Sequence, residues 1–112
     1  MNRFENPEAK VSKFLIEVPH EADTLECTRV VHIFLSTGSH FLTHAEWGCK
    51  DGVHSAWMLV DVDSKAEAMA IVPPAFRAST RIVGLTRFTL AEIEPALKKL
   101  TARAEAERAR RG

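Results

Sequence analysis

Residues 40–62 read HFLTHAEWGCKDGVHSAWMLVDV, two apolar runs joined by a link that contains Asp51-Gly52. Asp-Gly between alternating apolar residues is a strong signal for a hairpin turn. The stretch therefore predicts one strand over residues 40–47 and a second over residues 53–62, paired antiparallel.

The hairpin also predicts a register. With a two-residue turn, Cys49 pairs with His54, and Trp47 pairs with Ala56. This register places most of the large apolar side chains on one face of the sheet, as a half-buried sheet requires. We therefore prefer it to a register shifted by one residue.

Working outward, apolar periodicity predicts two more strands and three helices around the hairpin. They are strand 11–18, which Pro19 ends, helix 23–36, helix 65–72, strand 80–88, and a C-terminal helix that follows Thr89. Three pairs have the spacing of a helix capping box. They are Asp23 with Glu26, Ser64 with Glu67, and Thr89 with Glu92.

This order of elements predicts an α+β fold. Strand, helix, strand, strand, helix, strand folds most simply as a ferredoxin-like β-α-β-β-α-β sandwich with an extra C-terminal helix. In that fold the first and third strands are central and antiparallel, and both helices cover one face. The predicted organisation is a flexible leader over 1–10, the ferredoxin-like domain over 11–90, and a C-terminal helix or tail over 91–112.

Composition limits the classes of function. Lys+Arg and Asp+Glu both number 15 in 112 residues, so net charge provides no attraction for nucleic acid or an anionic membrane. Two cysteines are too few for a disulfide framework. The polar first ten residues contain no signal-peptide core, and no apolar run is long enough to span a membrane. We therefore expect a cytoplasmic protein with reduced thiols, no nucleic-acid partner and no membrane partner.

The sheet face away from the helices is unusually apolar for a solvated face. Its predicted members are Leu15, Glu17, Leu42, His44, Glu46, Trp57, Leu59 and Asp61, with Val83 and Leu85 or their neighbours. Exposed apolar patches of this kind usually mark an interface. We expect a homodimer in which two sheets pack face to face as a dimeric α/β barrel. The alternative is a monomer whose C-terminal helix folds back over this face.

One candidate site lies at the end of the predicted sheet. His20 follows the first strand, while Cys49 and His54 flank the hairpin turn, with Asp51 and Glu21 nearby. Because the first and third strands are antiparallel, these side chains can converge. Imidazole and thiolate suit zinc, nickel or copper. The same residues could also form a nucleophile and its base, or belong to an ordinary hairpin with a partly buried cysteine.

A second candidate site lies on the open sheet face. His44 and Glu46 are two residues apart on a strand, so their side chains point the same way. Glu17, Trp57 and Asp61 are predicted to share that face. Enclosure by a dimer partner would desolvate these groups and shift their pKa values, as acid–base catalysis or metal binding requires. The alternative is a set of interface hydrogen bonds and ion pairs.

Lys13 to Phe88 resembles the small ferredoxin-like families that dimerise into α/β barrels. The layout is similar to that of the nickel-binding proteins of the domain-of-unknown-function 4242 family. The positions that carry this resemblance are Glu17, Pro19, His44, Trp47 and Cys49. The cysteine departs from the family layout, since here it lies at the turn and not inside the third strand. Muconolactone-isomerase and antibiotic-monooxygenase-like barrels are similar in fold alone.

Three functions follow as hypotheses. The leading one is a homodimer that binds nickel or zinc through His20, His44, Cys49 and His54. The second is a cofactor-free enzyme, of isomerase or monooxygenase type, that acts on a small organic molecule in the dimer cavity. Glu17 or His44 would then be the general base, and Glu46, Trp57 and Asp61 would line the cavity. The third is an accessory or interaction domain without chemistry.

Overall fold

A computed structural model describes residues 12–111, so the leader predicted over 1–10 lies outside the described residues. The strands are β1 Lys13–Pro19, β2 Glu46–Trp47, β3 Ser55–Asp61 and β4 Arg81–Leu85. The α-helices are α1 Thr24–Ser36, α2 His40–Thr43, α3 Lys65–Ile71 and α4 Leu90–Arg111, and 3-10 helices span Cys49–Asp51 and Pro74–Ser79. Described residues 12–85 form one compact unit, which contains the sheet, and residues 86–111 belong to a second, which contains α4.

The four strands form one antiparallel sheet in the order β2-β3-β1-β4. Ile16 of β1 lies between Met58 of β3 and Ile82 of β4. The central, antiparallel placement of β1 and β3 is as predicted. The fold is α+β, also as predicted.

Buried and more exposed residues alternate along the strands, and the buried side chains form the core of the sheet unit. Every second residue of β1 is buried, and the facing residues of β3 are buried with them. Side chains from α1 and α3 join the same cluster. Its buried members are Phe14, Ile16, Val18, Val30, Phe34, Leu42, Ala56, Met58, Val60, Ala68 and Val72. This packing anchors β1, β3 and α1; one of the four candidate metal ligands described below lies in α1, and two others directly flank β1 and β3.

The strand predicted over residues 40–47 is wrong for its first half. Residues 40–43 form α2, and only Glu46 and Trp47 pair with β3. Ser39 begins the helix, because its side chain accepts a hydrogen bond from the Leu42 backbone N–H at 3.4 Å. Leu42, which we had placed on the open face, is 3% exposed and belongs to the core.

The hairpin register is correct, but the turn type is not. Trp47 pairs with Ala56 as predicted. The Gly48 N–H donates to the Ser55 carbonyl at 3.1 Å, and the Gly48 carbonyl accepts from Val53 N–H at 3.0 Å. A longer loop therefore replaces the two-residue turn, and the predicted pairing of Cys49 with His54 is wrong.

Glycine is required at two positions of this loop. A Cβ on Gly48 would lie 2.6 Å from the Val53 carbonyl oxygen and 2.8 Å from the Trp57 ring. Gly52 ends the 3-10 helix with φ of 79°, in the left-handed region that favours glycine. The loop therefore passes close beneath Trp57 and places Cys49 at the start of a helical turn.

The predicted helix starts are close to those observed. The Ser64 hydroxyl accepts from Glu67 N–H at 3.1 Å, and the Thr89 hydroxyl accepts from Glu92 N–H at 3.3 Å. Asp23 precedes α1, but among the described residues its side chain makes no capping hydrogen bond. In residues 12–111, none of the helices combines the length and apolar character needed to cross a membrane.

Candidate metal centre

Two histidines face each other at one end of the sheet. The last pair of the β1–β3 ladder is Pro19 with Ser55. One step beyond it, the His20 N–H donates to the His54 carbonyl at 3.0 Å. The two imidazole rings are 5.7 Å apart in an edge-on arrangement. The antiparallel pairing of β1 and β3 therefore brings His20 and His54 together, as the sequence predicted.

Two cysteines meet these histidines from other elements. Cys27 lies in the first turn of α1, where its N–H donates to the Asp23 carbonyl at 2.8 Å. Cys49 begins the 3-10 helix of the hairpin loop. The Cys27 thiol donates to Cys49 Sγ at 3.0 Å, and His20 Nε2 lies 3.1 Å from the same sulfur.

The four residues His20, Cys27, Cys49 and His54 form the cluster that we call the Cys2His2 cluster. Each offers one ligand atom, and these atoms all lie within 4.8 Å of one another. The cluster could therefore hold a metal ion. All four side chains are partly buried, which limits the competition of water for an ion.

Cys27 is the member that the sequence analysis missed as a ligand. In the sequence it lies in the apolar stripe of the first helix, where a small core residue is the usual interpretation. It shares a helix face with Val30 and Phe34, three and seven residues further on, and both of these are buried. A cysteine on the inward face of a helix's first turn, soon after a strand that a histidine follows, was the available signal.

Aromatic packing supports the cluster on one side. The Trp47 ring lies 5.8 Å from the His20 ring and 5.0 Å from Phe34, which is fully buried. Among the described residues, Nδ1 of His20 and Nδ1 of His54 are buried without a hydrogen-bond partner. Buried polar atoms are normally paired, so the unpaired Nδ1 of His54 favours a ligand at this place, whereas the His20 nitrogen that faces the thiols is Nε2.

Burial and neighbouring groups favour the neutral forms of His20 and Cys49. Burial, and to a lesser degree the charge of His54, lower the pKa of His20. Burial, followed by the hydrogen bond and charge of Cys27, raises the pKa of Cys49. A nucleophilic cysteine needs the opposite shift, towards the thiolate. The arrangement therefore disfavours a Cys49–His20 catalytic pair, whereas a bound cation would itself displace the thiol proton.

A cleft of about 510 Å³ lies beside the cluster. His20 lines it together with Glu21 and Glu26, and Pro19, Ala22, Val30, Phe76 and Ser79 complete the lining. Glu26 is paired with Arg29 at 3.2 Å. The cleft therefore adjoins the cluster on the His20 side.

His44, predicted as a ligand, lies outside the Cys2His2 cluster. It follows α2, and its Nδ1 is 2.7 Å from the His40 carbonyl oxygen. The rings of His40 and His44 are 4.3 Å apart. Both line a cleft of about 280 Å³ that also includes Asp61. The pairing of His44 with Glu46 on one strand is therefore wrong, because His44 is not in a strand.

The other predicted open-face residues do lie side by side. Trp57 pairs with Glu17 of β1 on one side and with Glu46 of β2 on the other. Leu15 lies between Leu59 and Val83 in the next row. The face therefore has the mixed apolar and acidic character predicted, without His44 as a neighbouring base in β2.

A comparison with protein-family models, curated proteins and solved structures finds no match for this chain. The assignment of the Cys2His2 cluster therefore depends on its own geometry and chemistry. The similarity in layout to nickel-binding proteins stays a prediction.

Proposed function

We propose that this protein is a small metal-binding domain that holds one zinc ion through His20, Cys27, Cys49 and His54. The observation that carries the proposal is the convergence of four ligand atoms within 4.8 Å. They come from four separate segments, namely the end of β1, the first turn of α1, the hairpin loop and the start of β3. Two thiolates with two imidazoles form one of the common structural zinc sites.

The spacing suits a tetrahedral ion after a small adjustment. Zn–S bonds of about 2.3 Å at the tetrahedral angle separate two sulfurs by about 3.8 Å. The sulfurs of Cys27 and Cys49 are 3.0 Å apart. They must therefore spread by about 0.8 Å when the ion binds. Nickel, which we also expected from the sequence, accepts the same donors but commonly prefers square-planar geometry.

Four protein ligands leave no open position on a tetrahedral ion, which is typical of structural sites and not of hydrolytic ones. The ion would connect α1 and the hairpin loop to the sheet end. We therefore propose a structural or metal-storing role. Ligating thiols must stay reduced, which agrees with the cytoplasmic location that we expected.

Titration with zinc and cobalt(II) tests this proposal. We expect about one ion per chain, with cobalt absorption bands characteristic of tetrahedral coordination by two thiolates. Trp47, whose ring is 5.8 Å from His20, provides a second signal through quenching of its fluorescence by cobalt. The chain has two tryptophans, so in the variant Trp57→Phe the fluorescence comes from Trp47 alone. Octahedral cobalt spectra without thiolate bands would contradict the proposal.

Zinc affinity is expected to rise with pH. Burial and the neighbouring Cys27 raise the pKa of Cys49 above its ordinary value of 9.0, so its proton must be displaced at neutral pH. Burial and His54 lower the pKa of His20 below 6.5, so this ring needs no deprotonation at pH 7. The association constant should increase about tenfold per pH unit for each proton released.

Competition with a chelator of known pH dependence, at about pH 7 and about pH 8, checks this result. Proton release measured in two buffers of different ionisation enthalpy provides an independent value. An affinity that is the same at both pH values, after correction for the chelator, would contradict thiol ligation.

We further propose that the sheet unit is ferredoxin-like and forms a homodimer. The order β2-β3-β1-β4 supports the first statement. Leu59, in the middle of β3 and 60% exposed, supports the second together with its neighbour Leu15. Light scattering should give twice the chain mass of 12.5 kDa, and Leu59→Asp should reduce it to the monomer. A wild-type monomer would contradict the dimer.

A further inference from the structure

The distance between the two sulfurs of the Cys2His2 cluster is intermediate between those of two chemical states. The sulfurs are 3.0 Å apart. A disulfide requires about 2.05 Å, and tetrahedral zinc spreads two thiolates to about 3.8 Å. Either state is therefore reached by a movement of about 1 Å. The two states exclude each other, because a disulfide has no thiolate to offer a metal.

We propose that Cys27 and Cys49 are a peroxide-sensitive pair that forms a reversible intramolecular disulfide, and that this disulfide releases the metal ion. The release of metal depends on the function proposed above, whereas formation of the disulfide does not. The protein would then couple its metal content to the concentration of hydrogen peroxide.

The reaction balances with hydrogen peroxide as the oxidant. The Cys27 sulfur attacks a peroxide oxygen, the O–O bond breaks, and a sulfenic acid on Cys27 and one water form, while Cys49 is the resolving thiol. The second sulfur attacks the sulfenic sulfur, the S–S bond forms, and the hydroxyl leaves as a second water. Two thiols lose two electrons and two protons, and peroxide is reduced to two waters. A dithiol reverses the change by thiol–disulfide exchange.

The surroundings of the pair favour an intramolecular bond. Both cysteines are partly buried, so a small oxidant reaches them more readily than a second protein chain does. They are 22 residues apart in sequence and are brought together by the fold. Cys27 is fixed in α1, while Cys49 belongs to a loop that begins at Gly48 and ends at Gly52.

The first experiment treats the reduced, metal-free protein with hydrogen peroxide. We expect a loss of about 2 Da in the intact mass, loss of both titratable thiols, and recovery of both by dithiothreitol. Trypsin cleaves after Arg29 and Lys50, so the disulfide should join peptides 14–29 and 30–50. Cys27→Ser and Cys49→Ser should gain oxygen or form a disulfide between chains, without the 2 Da loss.

The variant His54→Ala separates the two proposals, because it keeps both cysteines and loses one metal ligand. It should form the disulfide as the wild type does. Oxygen addition to both cysteines, in the wild type and in this variant, would overturn the disulfide.

The second experiment adds peroxide to the zinc-loaded wild type while a chromogenic chelator records free zinc. We expect bound zinc to fall from about one ion per chain to nearly none, in step with the loss of about 2 Da. Disulfide formation with zinc retained would overturn the release step alone. Failure of the reduced protein to bind zinc would overturn the proposed function and the release step, while the mass measurement would still decide on the disulfide.

Discussion

Cys27→Ser and Cys49→Ser are each expected to weaken zinc binding by at least about 100-fold. A serine hydroxyl stays protonated at neutral pH and is a poorer ligand for zinc than thiolate. Loss of a group that merely orients a ligand costs 10- to 100-fold in affinity. Loss of the ligand itself should cost at least as much. Competition with a chromogenic chelator measures the change.

The histidines provide matched variants and controls. His20→Ala and His54→Ala should cause losses similar to those of the serine variants, because each removes one of four ligand atoms. His32→Ala, on the exposed side of α1, should stay within about twofold of wild type. Circular dichroism of each metal-free variant shows whether its fold is retained.

His44→Ala is the most informative control. The sequence predicted His44 as a ligand, and the structure places it beside His40, outside the Cys2His2 cluster. Its removal should leave zinc affinity unchanged. Wild-type affinity in Cys27→Ser together with a large loss in His44→Ala would show that the predicted ligand set is correct and the Cys2His2 cluster is not.

Three of the four cluster residues, His20, Cys49 and His54, were predicted together from the strand pattern and the hairpin. Alternating apolar residues determine the register of β1 and β3, and the register determines which residues meet at the sheet end. His20 and His54 could therefore be predicted as neighbours. Even with the wrong turn, the pairing of Trp47 with Ala56 was correct, because Gly48 and Ser55 continue the same register.

The place of Cys27, and the way in which Cys49 reaches the cluster, depended on details that periodicity does not contain. The place of Cys27 is determined by the short connection between β1 and α1, which returns the helix start to the end of the sheet where β1 finishes. Cys49 reaches the cluster because residues 49–51 form a 3-10 helix, where an Asp-Gly turn would have kept it in the ladder. Both are tertiary properties of loops, and a cysteine in an apolar stripe resembles any small apolar residue.

His44 was misplaced for a related reason. In a strand, alternate residues share a face, and this pattern would place Leu42, His44 and Glu46 on one side. The same residues also fit one helical turn followed by a short strand. The Ser39 hydroxyl begins the turn, and burial of Leu42 in the core stabilises it. Local propensity over four residues is too weak to decide between these structures, and core packing decides.

Removal of metal is expected to lower the thermal stability of the sheet unit strongly. An ion that binds only the folded chain stabilises it by about 4 kcal/mol when its free concentration is 1,000 times the Kd. In a domain of this size, each kcal/mol shifts the Tm by about 4–8 °C. Zinc should therefore raise the Tm by about 15 °C or more, and EDTA should reverse the change.

The size of this effect follows from where the ligands lie. The cluster joins the end of β1, the first turn of α1, the hairpin loop and the start of β3, so an ion there opposes separation of elements that are distant in sequence. His54→Ala, which keeps both thiols, should lose most of the shift. Magnesium, which prefers oxygen ligands, should cause no shift in Tm in the wild type or in His54→Ala. Equal zinc shifts in wild type and His54→Ala would mean that the ion stabilises the chain from another place, and the Cys2His2 cluster would no longer account for it.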